Sequence, residues 1–134
     1  ATQQLQTLGT AVDEYGNEYE IRDAILTDLG FANYPAYLRS PLWHQIRHRK
    51  LGAEPNCFGC AREAVQVHHG AYHRPNLSGR TLDDLYSVCK RCHHWIEFTV
   101  QGTKRTPAEA TEELKRVRAD AKERGWFAIP DWLP

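Results

Sequence analysis

No apolar run in this sequence approaches the roughly 20 residues of a membrane-spanning helix. Its first twenty residues, ATQQLQTLGTAVDEYGNEYE, hold neither a basic leader nor the apolar stretch that secretion requires. These two absences make a cytoplasmic protein with no membrane partner the expectation. Net charge is lacking as well, since 17 Lys and Arg offset 17 Asp and Glu, so the whole chain has no general attraction for a polyanion. Apolar residues make up 41% of the 134, and a chain this short buries only about two-thirds of its unfolded surface. A single domain over 1–134 with a modest core is expected.

The balanced charge averages unlike segments. Residues 1–36 carry six acids and one base, 37–105 carry eleven bases and five acids, and 106–134 carry six acids and five bases. The middle segment also holds all seven histidines and all four cysteines. Positive charge and metal-ligating chemistry thus share one stretch, which points to an anionic ligand.

Residues 1–18 lack apolar periodicity and read as a loose arm. Ile21, Ile25 and Leu29 recur four apart, predicting a short helix that Gly30 ends. Ser40-Pro41 fits an N-cap followed by proline at the first helical position, so a helix over 41–51 is predicted. It would turn Leu42, Trp43, Ile46 and the Lys50 stem inward, with Arg47, His48 and Arg49 outward. Near the end, Thr106-Pro107-Ala108-Glu109 opens a helix with a capping box, and Gly125 stops it. Ala110, Leu114, Val117 and Ala121 form its expected buried stripe, and GWFAIPDWLP reads as an aromatic flap closing the core.

Cys57-Phe58-Gly59-Cys60 and Cys89-Lys90-Arg91-Cys92 repeat one two-residue spacing. Four thiolates so arranged can surround a tetrahedral ion, and zinc is the usual occupant. Two disulfides are the alternative, disfavoured by the cytosolic setting. The gap between the pairs, 28 residues, admits a β-hairpin with strands near 65–68 and 86–88 and a polar loop, RPNLSGRTLDD. A helix from about Cys92 puts His93 and Glu97 on one face. His68, His93 and Glu97 can then converge on a divalent ion, with His69, pointing the other way, free to act as a base. His44, His48 and His73 read as surface or packing residues.

The string CFGC, VHHGAYH, GRTLDDLYSVCKRCHHWIEF resembles the HNH endonucleases, in the zinc-stapled branch whose ββα-metal motif is a treble-clef variant. His68-His69-Gly70-Ala71-Tyr72 and Asp84-Leu85-Tyr86-Ser87-Val88-Cys89-Lys90-Arg91-Cys92-His93 carry the likeness, and YLRSPLWHQIRHRKL is similar to a helix that often precedes the motif. The resemblance implies an α+β fold in which 1–52 are the arm and N-terminal helices, 53–101 the ββα-metal core and 102–134 the C-terminal helix and tail.

By the same resemblance His69 is the general base, and Asp84, at the asparagine position of the motif, ties down the loop and orients that base. His68, His93 and Glu97 hold a catalytic divalent ion, Mg²⁺ or Mn²⁺ suiting the carboxylate, while Cys57, Cys60, Cys89 and Cys92 hold structural Zn²⁺. The implied reaction is one-metal hydrolysis of a DNA phosphodiester, with activity rising through about pH 6–7 as an ordinary imidazole loses its proton. Arg47, Tyr72, Arg74, Arg80, Lys90, Arg91 and His94 are the candidate DNA contacts, and phage packaging proteins the candidate targeting partners. The rival readings are a treble-clef zinc module that binds DNA or protein without cutting, and a structural zinc domain in a phage assembly.

Overall fold

The computed structural model describes residues 17–126. Of the loose arm read over 1–18, residues 1–16 lie outside the described residues, as does the tail beyond Trp126, and Glu18 instead begins the first helix. The protein is α+β, with a small two-stranded sheet among helices. Three helices come first: α1 (Glu18–Asp28), α2 (Tyr34–Leu38) and α3 (Pro41–Ala53). A hairpin of β1 (Gln66–His69) and β2 (Leu85–Val88) follows, its loop containing the single turn α4 (Arg74–Leu77), and then come α5 (Lys90–Glu97) and α6 (Pro107–Glu123).

The helix starts obey capping chemistry. Ser40 Oγ accepts the Trp43 N–H at 3.2 Å, leaving Pro41 to fill a position whose N–H would have no partner. At α6 the box is reciprocal: Thr106 Oγ1 accepts from Glu109 N at 3.2 Å, and Glu109 Oε1 accepts from Thr106 N at 2.8 Å. Ala110, Leu114, Val117 and Ala121 are buried as their spacing requires, joined by Pro107 and Thr111. In α1 the fully buried residue is Leu26, with Ile25 and Leu29 partly covered beside it.

The strands pair antiparallel, with His68 opposite Tyr86 and His69 opposite Leu85. Side chains alternate across a strand, so the hairpin divides the core. On one side Val67 and Leu85 pack with Leu26, Tyr37, Trp43, Ile46 and Leu77. On the other, Val88 joins the cysteines, Ile96, Leu114 and Val117. Burial of each such aliphatic side chain contributes about 1.5–3 kcal/mol. Tyr37 crosses the first core to donate its hydroxyl to the Leu77 carbonyl at 2.8 Å, fixing the hairpin loop on α2. No helix among the described residues is long and apolar enough to cross a membrane.

Candidate metal centre and adjoining cleft

The cysteine cluster forms where two tight turns meet. Cys57 N–H donates to the Arg62 carbonyl at 2.6 Å and Phe58 N–H to the Ser87 carbonyl at 2.8 Å, so the first knuckle is pinned to β2. Gly59 suits the close packing there, where a Cβ would sit tightly at 3.1 Å from Leu114 Cδ1 and 3.2 Å from Cys92 Sγ. The second pair opens α5, with Cys89 as its N-cap, the sulfur accepting from Cys92 N at 3.4 Å. All four sulfurs lie within 4.8 Å of one another, and none is in a disulfide.

Cys60 and Cys89 sulfurs are 3.7 Å apart. A tetrahedron with bonds of about 2.3 Å has edges of about 3.8 Å, so this edge matches a zinc site, whereas a disulfide needs about 2.05 Å. The four cysteines can therefore hold a metal ion, consistent with structural zinc. Arg118 fastens α6 to the same knuckle, donating to the Phe58 carbonyl at 2.8 Å with its guanidinium 4.5 Å from the Phe58 ring centroid.

Beside this staple lies a cleft of about 400 Å³. His68, His69, His93 and Glu97 all line it, together with Arg22, Arg47, Lys104 and Arg105. Four bases against one acid give it a positive character suited to an anionic ligand. Arg105 is committed to structure, its guanidinium donating to the carbonyls of Trp95, Ile96 and Phe98 at 3.0, 3.3 and 2.9 Å. Arg47 donates to the Val65 carbonyl.

Hydrogen bonds set the tautomers of two histidines. Gln66 Oε1 lies 2.6 Å from His93 Nδ1; an amide oxygen only accepts, so Nδ1 carries the proton and Nε2 a lone pair. That lone pair faces Glu97 Oε1 at 3.4 Å. Burial holds His93 below its ordinary value although Glu97 pulls it upward, and the two side chains could contribute a nitrogen and an oxygen to a ligand in the cleft. His68 differs. Thr111 spends its hydroxyl proton on the Pro107 carbonyl at 2.8 Å and so accepts from His68 Nε2 at 2.9 Å, leaving Nδ1 as the lone pair.

The His68 and His93 ring centroids are 6.2 Å apart. The two imidazoles thus share the cleft with Glu97, a donor set suited to a divalent ion. Their ligand atoms are less closely gathered than the sulfurs: among the described residues, only the four cysteines form a group of three or more metal-ligating side chains with all ligand atoms that close.

His69 lies on the opposite side of β1 and is only 5% exposed. Trp43 stacks on it with centroids 4.7 Å apart, Tyr72 lies at 5.4 Å, and Tyr34 Oη contacts its Nδ1 at 3.0 Å. Its Nε2 is buried without a hydrogen-bond partner. Burial, then the charges of His68, Arg22 and His93, push His69 down to about 3, and burial followed by His93 pushes His68 down to about 4. An activity limb near pH 6–7 belongs to an imidazole in water. Burial keeps His69 neutral through that range, so this imidazole by itself supplies no limb at pH 6–7.

Asp84 holds the turn, at φ 61°. Its carbonyl accepts Gly70 N–H at 2.7 Å, next to His69, and its carboxylate meets His73 Nε2 at 2.9 Å. His73, read as bland, caps α4 by accepting Asn76 N–H at 3.2 Å. The fully buried Asn76 donates to the carbonyls of Ala71 and Asp83 at 2.9 and 3.2 Å, clamping both ends of the loop.

Of the candidate DNA contacts, Arg47 and Tyr72 line the cleft; Arg74, Arg80, Lys90, Arg91 and His94 do not. Arg74 pairs with Asp28, while Arg80, Lys90, Arg91 and His94 are exposed elsewhere. Arg22, Tyr34, Trp43 and Lys104 line the cleft but carry no motif that singles them out. In comparison with known proteins, no family model, no curated protein and no solved structure matches the chain significantly.

Proposed function

We propose that this chain is a metal-dependent endonuclease of the HNH type, a ββα-metal core stapled by zinc that hydrolyses DNA phosphodiester bonds. The observation that carries this reading is the meeting of His68, His69, His93 and Glu97 in one cationic cleft beside the four-cysteine cluster. A zinc module that only grips a partner needs the cysteines and has no use for this set.

Each residue has a role in the proposed reaction. His93 Nε2, Glu97 and His68 Nδ1 would hold Mg²⁺ or Mn²⁺. Such an ion, when bound, supplies Lewis-acid polarisation of the phosphate and stabilises charge on the leaving oxygen. His69 Nε2 takes the proton of the attacking water. An arriving phosphate pulls its basicity upward, as an anion beside an imidazole does. Lys104 and Arg47 contribute positive charge toward the phosphate, and Trp43 and Tyr72 keep bulk water from His69.

A non-catalytic zinc module binding DNA or protein is favoured by a different observation, the enclosure of His69 among Trp43, Tyr34 and Tyr72. Incubating the protein with supercoiled plasmid separates the two. Nicked or linear DNA that appears with Mg²⁺ or Mn²⁺ and disappears with chelator is expected of the nuclease, and intact plasmid under every condition of the module.

A further inference from the structure

His73 makes two side-chain bonds, and its partners fix the direction of each. Its Nδ1 lies 3.2 Å from the backbone nitrogen of Asn76. A backbone N–H only donates, so Nδ1 accepts and carries a lone pair. The proton of the neutral ring is then on Nε2. That nitrogen lies 2.9 Å from Asp84 Oδ2, and a carboxylate only accepts, so the ring donates to Asp84. One imidazole thus bridges the first turn of α4 and the turn that enters β2.

The bond to Asp84 acts on an unusual backbone. Asp84 has φ 61°, a left-handed conformation uncommon for a residue with a Cβ. Its carbonyl, aimed by that turn, accepts the Gly70 N–H at 2.7 Å. Gly70 has little slack, since a Cβ built there would fall 3.3 Å from the same carbonyl oxygen and closer still to Tyr86 and Thr111. A shift of Asp84 is therefore passed to Gly70 and to the peptide that joins it to His69. The fully buried Asn76 ties the same two ends of the loop through the Ala71 and Asp83 carbonyls, and the His73 tether closes this ring of bonds.

We propose that His73 is a positioning residue of the cleft: through its Nε2–H on the Asp84 carboxylate it fixes the Asp84 turn, whose carbonyl grips Gly70 N–H and sets where His69 stands at the end of β1. A helix cap, the competing role for His73, needs Nδ1 alone. The catalytic meaning of the tether rests on the nuclease reading; the tether itself does not.

The test separates the two ring nitrogens. An asparagine side chain reaches about as far as histidine Nδ1, and a glutamine side chain about as far as Nε2. His73→Asn thus keeps the cap, for which asparagine is well suited, and loses the tether, whereas His73→Gln keeps the tether and loses the cap. Amide hydrogen exchange of the full zinc-loaded chain, read by ¹⁵N–¹H correlation at neutral pH, follows Gly70 for the tether and Asn76 for the cap. His73→Asn should speed Gly70 exchange about tenfold, as loss of one hydrogen bond to a charged group does, with Asn76 as slow as in the wild type. His73→Gln should do the reverse. In plasmid nicking with Mn²⁺, His73→Asn should lower kcat about three- to tenfold, a fraction of the 10²–10⁴ that a positioned base supplies, with KM held, and His73→Gln should lower it less. Wild-type exchange at Gly70 in His73→Asn, or, in a protein that cuts, a kcat no lower for His73→Asn than for His73→Gln, overturns the proposal. The expected exchange pattern in a protein that never cuts DNA upholds the tether and overturns the nuclease.

Discussion

The His93 Nδ1 and the Gln66 amide oxygen are 2.6 Å apart, and this contact turns the other nitrogen of His93 toward Glu97. Outer partners of this kind typically contribute 10–100-fold to metal affinity. Gln66→Leu should therefore weaken Mn²⁺ binding by about that factor, read by the loss of free Mn²⁺ signal in electron paramagnetic resonance, with zinc content unchanged. Equal affinity in the variant would detach Gln66 from any metal site.

The cysteine cluster makes a separate demand. Structural zinc in small domains contributes on the order of 10 kcal/mol, comparable with the ~5–15 kcal/mol that holds a whole domain folded. Cys60→Ser should lose zinc and unfold the half of the core built on Val88, Ile96, Leu114 and Val117. Metal analysis and thermal melting check this. A variant that keeps its melting temperature without zinc would show that the staple is dispensable.

Gly70 follows His69 at a point with no spare volume. A Cβ there would fall 2.7 Å from Tyr86 Cε1, 2.9 Å from Thr111 Oγ1 and 3.3 Å from the Asp84 carbonyl oxygen. Gly70→Ala is expected to cost about 1–3 kcal/mol as overpacking does, lowering Tm by roughly 4 °C per kcal/mol. Gly52, in α3 with nothing within 4 Å of a built Cβ, is the control; its change to Ala should stabilise by about 0.5–1 kcal/mol.

Acid should weaken the fold through the buried imidazoles. His69 and His68 are pushed down to about 3 and 4, against about 6.5 in the unfolded chain. Below pH 6.5 the unfolded state binds protons that the folded state refuses, so stability falls as pH drops toward 4 and is level above 6.5. His69→Phe, which keeps an aromatic ring beneath Trp43, should flatten this dependence. Zinc loss at low pH is common to both proteins, so the difference in Tm between pH 5 and pH 7 isolates His69. Identical slopes would mean that His69 titrates as if in water.

Local chemistry was readable from the chain and distant chemistry was not. Ser40-Pro41 and Thr106 to Glu109 mark helix starts because a cap bonds residues three apart. The strands were found within one residue from the β-branched run and the paired cysteine spacing. By contrast α2 and α4 are a turn or so each, too short to show a period. They are held by tertiary contacts such as Tyr37 on Leu77.

The partners of the histidines are equally silent. Tyr34, Thr111 and Gln66 stand 35, 43 and 27 residues from the rings they orient, and no spacing links them. Charge density in the sequence picked out Arg74, Arg80, Lys90 and Arg91, but the direction of each side chain, set by its element, decides which bases line the cleft. Thus Arg22, from the acidic first segment, and Lys104 do so instead.

The central claim is that His69 makes this cleft a phosphodiester-cleaving site, and the rate of supercoiled plasmid nicking by wild type and His69→Ala, both zinc-loaded and supplied with Mn²⁺, tests it most directly. The account predicts cutting by the wild type and a loss of 10²-fold or more in the variant at unchanged zinc content. Equal rates, or no cutting by either protein, would contradict it.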